Sequence, residues 1–238
     1  MFSGGKEPQN PKSLKLSPSP EITPDVFRYT FKLTRENIQM LRERLIRESS
    51  SSFSSSKELR LSTFVIVFSY VFVCLIKARA GELNRPVGYV FSVDCRSFMN
   101  PPIPKYFGNC ISGYHRMMLK AEMFMGQERF SVVARMISDS IEKWDENDAW
   151  KIQDFVAYST LPPETQFIVA SGSTRFGVYG LDFGWGRPDK VVIATIGQGN
   201  GISMADSRDG NGGVEVGFSL KKHEMDALID LLHHGLKI

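Results

Sequence analysis

An apolar run from Leu61 to Ile76 constrains the fold of this chain more than any other feature. Its sequence, LSTFVIVFSYVFVCLI, contains no charged side chain, and charged residues flank it on both sides. The run is shorter than the roughly 20 residues that a membrane-spanning helix needs, and Ser62, Thr63 and Ser69 interrupt it. We therefore expect a buried core helix rather than a membrane span.

The composition is typical of a soluble globular protein and argues against several classes of function. With 238 residues, 42% hydrophobic, the chain can form one large domain or two small ones. The net charge of +3 comes without a long basic block, so nucleic-acid binding gets no support. Cys74, Cys95 and Cys110 are too few and too irregularly spaced for a disulfide framework or a zinc site, which favours a reduced, cytoplasmic setting. The N-terminal residues lack the apolar core of a secretory signal, so no export is expected.

The order of the predicted elements indicates an α/β fold with a mixed sheet. Residues 1–25 are rich in Pro, Ser, Gly and Lys, which is typical of a linker, and 26–238 form the folded part. Period-2 and β-branched runs predict strands at Val26–Leu33, Val87–Asp94, Ile111–Leu119, Phe167–Ala170, Val191–Ile196, Ile202–Ala205 and, with an edge-type pattern, Val214–Ser219. Helical periodicity predicts helices from an N-cap at Thr34 to about Glu48, from Leu61 to Arg79, from Phe130 to Trp144 and from Lys221 to Leu236, with a serine-rich loop at Ser49–Ser56.

The most specific string of the chain is YGLDFGWGRP, from Tyr179 to Pro188. Gly184 and Gly186 bracket a tryptophan, a pattern typical of a tight backbone bend with a large ring packed into it. If Asp182 is buried, it needs a cationic or backbone donor as its partner. Taken alone, the string fits a structural turn better than a functional loop.

A second string, YFGNC at residues 106–110, follows a proline-rich loop. Gly108 allows the backbone to approach a ligand closely, and the amide of Asn109 offers a donor and an acceptor beside it. The same asparagine can instead satisfy a turn with its own side chain. Ligand contact and turn formation are both open interpretations of this segment.

In combination, these strings resemble the BAHD family of plant acyltransferases, enzymes that move an acyl group from coenzyme A to an alcohol or amine. DFGWG is similar to a signature of the family. YFGNC resembles the motif of the branch that acylates anthocyanins and other phenolic glycosides, often with malonyl-CoA. Further strings in the family's order are VDCRS (93–97), PPIP (101–104), STRFGVY (173–179), ADSRDG (205–210) and GVEVG (213–217). The match begins near Val26 and implies the C-terminal half of a family member.

The resemblance implies a fold and a set of site residues. The expected fold is the C-terminal domain of the two-domain, chloramphenicol acetyltransferase-like fold, with a mixed sheet, flanking helices and a segment, 181–207, that crosses over to the N-terminal domain. DFGWG is mainly structural in the family, so Asp182, Phe183, Gly184, Trp185 and Gly186 are expected beside the coenzyme A channel. An ion pair from Asp182 to Arg96, or second to Arg175, is expected to hold them. The candidate channel residues are Tyr106, Phe107, Gly108, Asn109, Cys110, Ser173 and Arg175.

The family's catalytic motif, HxxxD, has no counterpart in this sequence. Its histidine acts as general base on the acceptor hydroxyl, and imidazole suits that role because its pKa lies near neutral pH. The fourth residue after His115, His223, His233 and His234 is Leu, Ala, Lys and Ile respectively. We expect the last three histidines to be solvated on the final helix. No nucleophile elbow, phosphate-binding loop or metal-ligand cluster replaces the motif, so no catalytic residue is assigned.

Two classes of function follow from the resemblance. The first is transfer of an acyl group, by this branch malonyl, from acyl-CoA to a hydroxyl of a phenolic or flavonoid glucoside, with this chain inactive by itself. The chain is then a truncated gene product, a fragment of a larger polypeptide, or one of two chains, the other being an N-terminal-half chain or a full-length relative. The second is a non-catalytic module that binds acyl-CoA or docks onto a relative, and a truncated product without a role is a further explanation. Acyl-CoA is then a co-substrate or ligand, and we expect no permanently bound cofactor, metal or nucleic acid.

Overall fold

A computed structural model describes residues 25–52, 59–79, 81–126, 129–143, 165–193 and 201–237. These residues contain the strands β1 (Val26–Leu33), β2 (Pro86–Asp94), β3 (Ile111–Lys120), β4 (Gln166–Ser173), β5 (Gly201–Asp206) and β6 (Val214–Lys221). The α-helices among them are α1 (Arg35–Ser52), α2 (Thr63–Ala78), α3 (Arg129–Glu142) and α4 (Lys222–His234). The strands form one mixed sheet in the order β1-β6-β5-β4-β2-β3, which confirms the predicted fold class.

The directions of the strands bring four strand ends together. β2, β4 and β5 run parallel to one another, and β1 points the same way because both β1 and β5 are antiparallel to β6. The carboxyl ends of β1, β2, β4 and β5 therefore lie at one edge of the sheet, which we call the carboxyl edge. Loops 95–110, 174–193 and 207–213 leave from this edge. In open α/β sheets, ligands bind at such an edge.

Helix α2 lies at the centre of the core, as the apolar run predicts. Ser62 caps its N-terminus, because the Ser62 side chain accepts a hydrogen bond from the backbone amide of Val65. Its buried residues lie on every side of the helix, which is typical of a helix inside a core. The rings of Phe68 and Phe72 meet the ring of Tyr89 on β2 edge to face, at centroid distances of 6.0 and 5.9 Å. Within the residues described, no helix is long and apolar enough to cross a membrane.

The two faces of the sheet differ in character. One face carries large apolar side chains, such as Tyr89 and Ile202, which share a single core with the four helices. The other face is lined by smaller or polar residues, including Ser203 and Gly217, and the segment Val191–Ile193 lies against it. The sheet therefore has one face of large apolar side chains covered by helices and one face of smaller or more polar side chains.

One prediction about the last strands is wrong, and a second, the crossover of segment 181–207, fails for one strand and stays a prediction for the rest of the segment. β6 lies inside the sheet, paired with β1 and β5, although its alternation with Glu215, Gly217 and Ser219 suggested an edge strand. That alternation reflects the two different faces of the sheet and carries no information about its edges. Ile202–Ala205, expected to cross over with the segment 181–207, pairs instead with β4 on one side and β6 on the other. Backbone hydrogen bonds on both sides hold this strand in the chain's own sheet.

Apart from the strand predicted at Val191–Ile196, the other element predictions hold to within a few residues. Thr34 caps α1 as predicted, since its hydroxyl accepts from the Asn37 amide at 3.2 Å and its own amide donates to the Asn37 side chain at 3.0 Å. Helix α1 continues to Ser52, so it takes up the first part of the predicted serine loop. The segment Val191–Ile193 is not a strand. The rest of that predicted strand, the linker up to residue 24, the end of the serine loop and Trp144 lie outside the described residues.

Candidate functional site

The carboxyl edge gathers the strings that the sequence singled out. YFGNC lies in loop 95–110 between β2 and β3, and DFGWG follows β4. The ADSRDG string begins at the end of β5 and continues into the connection to β6. Segments that are about a hundred residues apart in sequence thus lie along the same edge, where the parallel strands end. This edge is the candidate site.

Arg96 holds loop 95–110, which we call the YFGNC loop, from within. Its Nε donates to the Tyr106 carbonyl at 2.8 Å and its Nη2 donates to the Gly108 carbonyl at 2.9 Å. Its Nη1 forms an ion pair with Asp94 at 2.8 Å. Hydrogen bonds from the backbone amide and the guanidinium of Arg96 keep the pKa of Asp94 below its usual value. The planar guanidinium therefore fixes the backbone on which the motif is built.

Two further candidates in the YFGNC loop, Asn109 and Cys110, serve its turn geometry. The Asn109 side chain accepts a hydrogen bond from the Ile111 amide at 3.3 Å, which is the turn that the sequence allowed as one interpretation. The Cys110 carbonyl accepts from the Cys95 amide at 2.9 Å and closes the base of the loop. Phe107 has no cover and is 103% exposed. The loop thus presents an apolar ring to solvent from a well-bonded backbone.

The predicted ion pair between Asp182 and Arg96 is wrong. Oδ1 of Asp182 accepts hydrogen bonds from the amides of Gly184 at 2.7 Å and Gly186 at 3.0 Å. Among the residues that the structure describes, Asp182 forms no ion pair with Arg96 or with Arg175. Since the Asp182 carboxylate is exposed, it needs no cation to offset burial. The two glycines have φ values of 98° and 93°, so the turn requires residues without a side chain.

Trp185 does not pack into this bend, contrary to the prediction. Its side chain is 90% exposed, and that of Phe183 is 76% exposed. The bend is held by the Asp182 carboxylate instead of by a buried ring. The DFGWG loop, residues 180–190, therefore also presents aromatic surface to solvent.

Tyr179 anchors the two ends of the DFGWG loop to the sheet. Its hydroxyl donates to the Glu215 carboxylate on β6 at 2.6 Å and accepts from the Val191 amide at 3.2 Å. Burial and the hydrogen bond to Glu215 raise the pKa of Tyr179. An ion pair between Asp189 and Arg208 adds a second attachment to loop 207–213. The loop is exposed at its tip and fixed at its base.

An open groove of about 460 Å³ lies beside the N-terminal end of α2. Its polar lining includes the exposed Arg60 and Arg175 together with Ser62 and Ser138. Arg175 belongs to the predicted set, and its amide donates to the Ser173 hydroxyl at 3.1 Å, so Ser173 shapes the turn that carries it. Two guanidiniums and a helix N-terminus at one groove favour a ligand that carries phosphate groups.

Loop 207–213 is organised around Asp209. Its carboxylate accepts from Lys32 at 2.7 Å, from the Ser207 hydroxyl at 2.6 Å and from the Asn211 amide at 3.2 Å. The hydrogen bonds from Lys32 and Ser207, the largest causes, keep the pKa of Asp209 well below its usual value. The loop is thereby tied to β1 across the carboxyl edge.

The described histidines offer no catalytic arrangement. His223, His233 and His234 are exposed, which confirms their predicted place on the final helix. His233 packs edge to face against Phe31, with ring centroids 5.2 Å apart. Within the described part of the chain, no group of His, Cys, Asp and Glu side chains is arranged to hold a metal ion.

Comparison with known proteins assigns the chain to a class. The model of the Transferase family matches residues 6–233, so the chain belongs to this family, the BAHD acyltransferases. The chain is 66% identical over 241 residues to phenolic glucoside malonyltransferase 1 of Arabidopsis thaliana, a match that covers 100% of this chain and 51% of that protein. It is 42% identical to the malonyl-CoA:anthocyanidin 5-O-glucoside-6''-O-malonyltransferase of Arabidopsis thaliana, over 96% of this chain and 51% of that protein.

A solved structure gives the same result. The crystal structure of vinorine synthase matches with a TM-score of 0.66 at 26% identity, over 88% of this chain and 48% of that one. The chain spans about half the length of the curated relatives it matches. This coverage confirms the prediction that it corresponds to half of a family member.

Some residues of the site were missed by sequence reasoning. Asp94, the true partner of Arg96, lies only two residues away from it, so its proximity was a usable signal. Arg60 and Ser138 line the groove beside Arg175, but nothing in the local sequence links these three segments. Only the tertiary fold, which places the start of α2, the helix α3 and the turn after β4 around one groove, brings them together.

Proposed function

We propose that this chain forms the coenzyme A side of an acyltransferase that moves an acyl group, specifically malonyl, to a hydroxyl of a phenolic or flavonoid glucoside. One observation carries the proposal: the groove at the carboxyl edge presents Arg60 and Arg175 at the N-terminal end of α2. Two relatives are malonyltransferases by name, one for phenolic glucosides and one for an anthocyanidin glucoside, which supports this donor and acceptor. A cytoplasmic location is part of the same proposal.

The groove suits the phosphates of coenzyme A. Guanidinium groups bind phosphate oxygens through paired, charge-assisted hydrogen bonds, and the amides of a helix N-terminus favour a negative charge. The hydroxyl of Ser138 adds a neutral donor to the same lining. Under this proposal the YFGNC loop and Ser173 flank the channel that leads the thioester away from the groove, and the DFGWG loop supports it.

The chain by itself is expected to transfer no acyl group. The general base of the family lies in HxxxD, and a base of this kind contributes ~10²–10⁴-fold to the rate. We propose that a polypeptide carrying HxxxD, corresponding to the other half of the relatives' length, completes the site. The exposed rings of Phe107, Phe183 and Trp185 at the carboxyl edge are apolar surface for such a contact.

Coenzyme A binding to the purified chain tests the groove. Titration calorimetry with coenzyme A is expected to give saturable binding that weakens roughly tenfold or more in Arg60→Ala and in Arg175→Ala, because each change removes a charged hydrogen-bond donor. Arg47→Ala is the matched control, since Arg47 is an exposed arginine on α1 outside the groove. Equal affinity of all four proteins for coenzyme A would remove the groove from the proposal.

Activity is tested separately. The chain alone and the chain mixed with an N-terminal polypeptide of a relative that contains HxxxD are each supplied with malonyl-CoA and a phenolic glucoside. The expected result is product only in the mixture. Turnover by the chain alone would overturn the need for a partner. Tight coenzyme A binding with no turnover in either sample would favour the non-catalytic acyl-CoA-binding module instead.

A further inference from the structure

Cys95 and Cys110 face each other where the YFGNC loop leaves the sheet. The register of β2 and β3 pairs Asp94 with Ile111, so the two cysteines form the next opposing pair. The Cys95 amide donates to the Cys110 carbonyl at 2.9 Å, which continues the ladder to this pair. Opposing residues of an antiparallel pair point to the same face, with Cβ atoms about 4.5–5.5 Å apart. Both cysteines pack in one small apolar cluster with Val93, Met99 and Tyr114.

We propose that Cys95 and Cys110 form a reversible disulfide when the chain meets a peroxide, and that this bond closes the base of the YFGNC loop. Opposing residues of an antiparallel pair have Cα atoms about 4.5–5.5 Å apart, within the range of about 4.4–6.8 Å that disulfides span, so a small local adjustment brings the two sulfur atoms into bonding distance. The third cysteine, Cys74, lies on α2 in the main core and has no place in this cluster. Cys95 is therefore expected to pair with Cys110 and not with Cys74. This disulfide does not depend on whether the chain takes part in acyl transfer.

The reaction starts at Cys110, which is partly exposed, whereas Cys95 is 2% exposed. The Cys110 thiolate attacks the peroxide, so that an S–O bond forms, the O–O bond breaks and hydroxide leaves. The sulfur of Cys95 then attacks the sulfenic sulfur of Cys110, forming the S–S bond and breaking the S–O bond. The released hydroxide and the thiol protons form water, so that two thiols and one hydrogen peroxide give one disulfide and two waters.

The surroundings of Cys95 affect the rate of disulfide formation, and the contacts of Arg96 determine which part of the loop the disulfide closes. Burial raises the pKa of the Cys95 thiol, so the second step accelerates as the pH rises. The disulfide closes a ring of residues 95–110. This ring contains Arg96 and the carbonyls of Tyr106 and Gly108, to which Arg96 donates hydrogen bonds. Oxidation thus adds a covalent closure to a loop that only noncovalent contacts hold in the reduced chain.

Peptide mapping tests the proposal on the purified, reduced chain. After treatment with hydrogen peroxide and blocking of free thiols, trypsin separates Cys95 in residues 80–96 from Cys110 in residues 106–116. The expected product is these two peptides joined, two hydrogen masses below their sum, and separated again by dithiothreitol. The oxidised chain is expected to melt about 5 °C higher than the reduced chain, because closure restricts the unfolded state.

Matched variants decide the assignment. Cys74→Ala is expected to give the same joined peptides and the same melting shift, whereas Cys110→Ser is expected to lose both. Oxidation of Cys110 to sulfinic acid with Cys95 still reduced would overturn the proposal. Pairing of the two cysteines only in urea would overturn it as well, because it would show that the folded loop keeps them apart.

Discussion

The helix-covered face of the sheet and its carboxyl edge use aromatic side chains in opposite ways. On the covered face, Phe72 and Tyr89 are fully buried and pack edge to face at 5.9 Å. At the carboxyl edge, Phe107 and Trp185 are 103% and 90% exposed on loops that are fixed by polar contacts at their base. The buried rings hold the fold together, because apolar burial is the main favourable term in folding. The exposed rings add little to stability and are free to meet a ligand or a partner.

The difference also lies in what holds each region. Helix α2 is fixed by packing on every side, whereas the two motif loops are fixed by Arg96, Asp182 and Tyr179 through hydrogen bonds. Apolar packing is not directional, but a hydrogen bond fixes both distance and angle. The carboxyl edge therefore has defined backbone geometry with little buried surface, a combination that suits recognition.

The largest predicted contrast is between Phe72→Ala and Trp185→Ala. Phe72→Ala removes a fully buried ring and is expected to lower the free energy of unfolding by about 3–5 kcal/mol. Trp185→Ala removes an exposed ring and is expected to change it by less than about 0.5 kcal/mol. Urea unfolding followed by circular dichroism measures both values. Similar losses in the two variants would show that the DFGWG loop is part of the core.

The second contrast compares the two residues once expected to form one ion pair. Arg96→Ala breaks two hydrogen bonds to backbone carbonyls and is expected to cost about 1–2 kcal/mol of unfolding free energy. Asp182→Ala breaks two hydrogen bonds of an exposed turn and is expected to cost less than about 1 kcal/mol. Asp182→Asn keeps an acceptor and serves as the control. Equal, large losses in both alanine variants, non-additive in the double variant, would restore the ion pair between them.

The smallest expected effect is a pH dependence at Asp209. Its pKa is lowered in the folded chain, so the unfolded chain binds more protons near its ordinary pKa of about 3.9. The stabilisation is therefore present above that value and is lost as the pH falls through the folded pKa, a change visible between about pH 5 and pH 2. Melting temperatures of Asp209→Asn are expected to depend less on pH in this window than those of the parent. Identical pH profiles would show that the contacts with Lys32 and Ser207 do not persist in solution.

Local sequence signals were sufficient where an element's own residues decide its structure. Val26–Leu33 and the apolar helix were predicted correctly, because the order of polar and apolar side chains within each segment is enough to indicate its secondary structure and burial. The resemblance, with its two motifs in family order, identified the family correctly. These predictions required no knowledge of the tertiary contacts between elements.

Predictions that depended on neighbours were less successful. The partner strands of Ile202–Ala205 could not be inferred from its β-branched pattern. A central strand of the chain's own sheet and a strand that joins another domain's sheet have the same apolar pattern. Asp182 was given a distant cation because a buried carboxylate requires one, but the turn exposes it and supplies two amides. In both cases the missing information concerned tertiary structure: which strands pair with Ile202–Ala205, and whether Asp182 is exposed to solvent.

The pairing of β1 with β6 has a consequence for the chain during its synthesis. Val26 lies opposite Lys221, so strands at distant points of the sequence are direct neighbours in the sheet. At about 5–20 residues per second, the ribosome needs roughly 10–40 s after β1 to make its only described partner strand. Throughout this delay Phe31 and Leu33, both buried in the finished fold, lack the strand that pairs with them. An unpaired apolar strand is prone to association, so chaperone binding to β1 would protect the growing chain until β6 has been made.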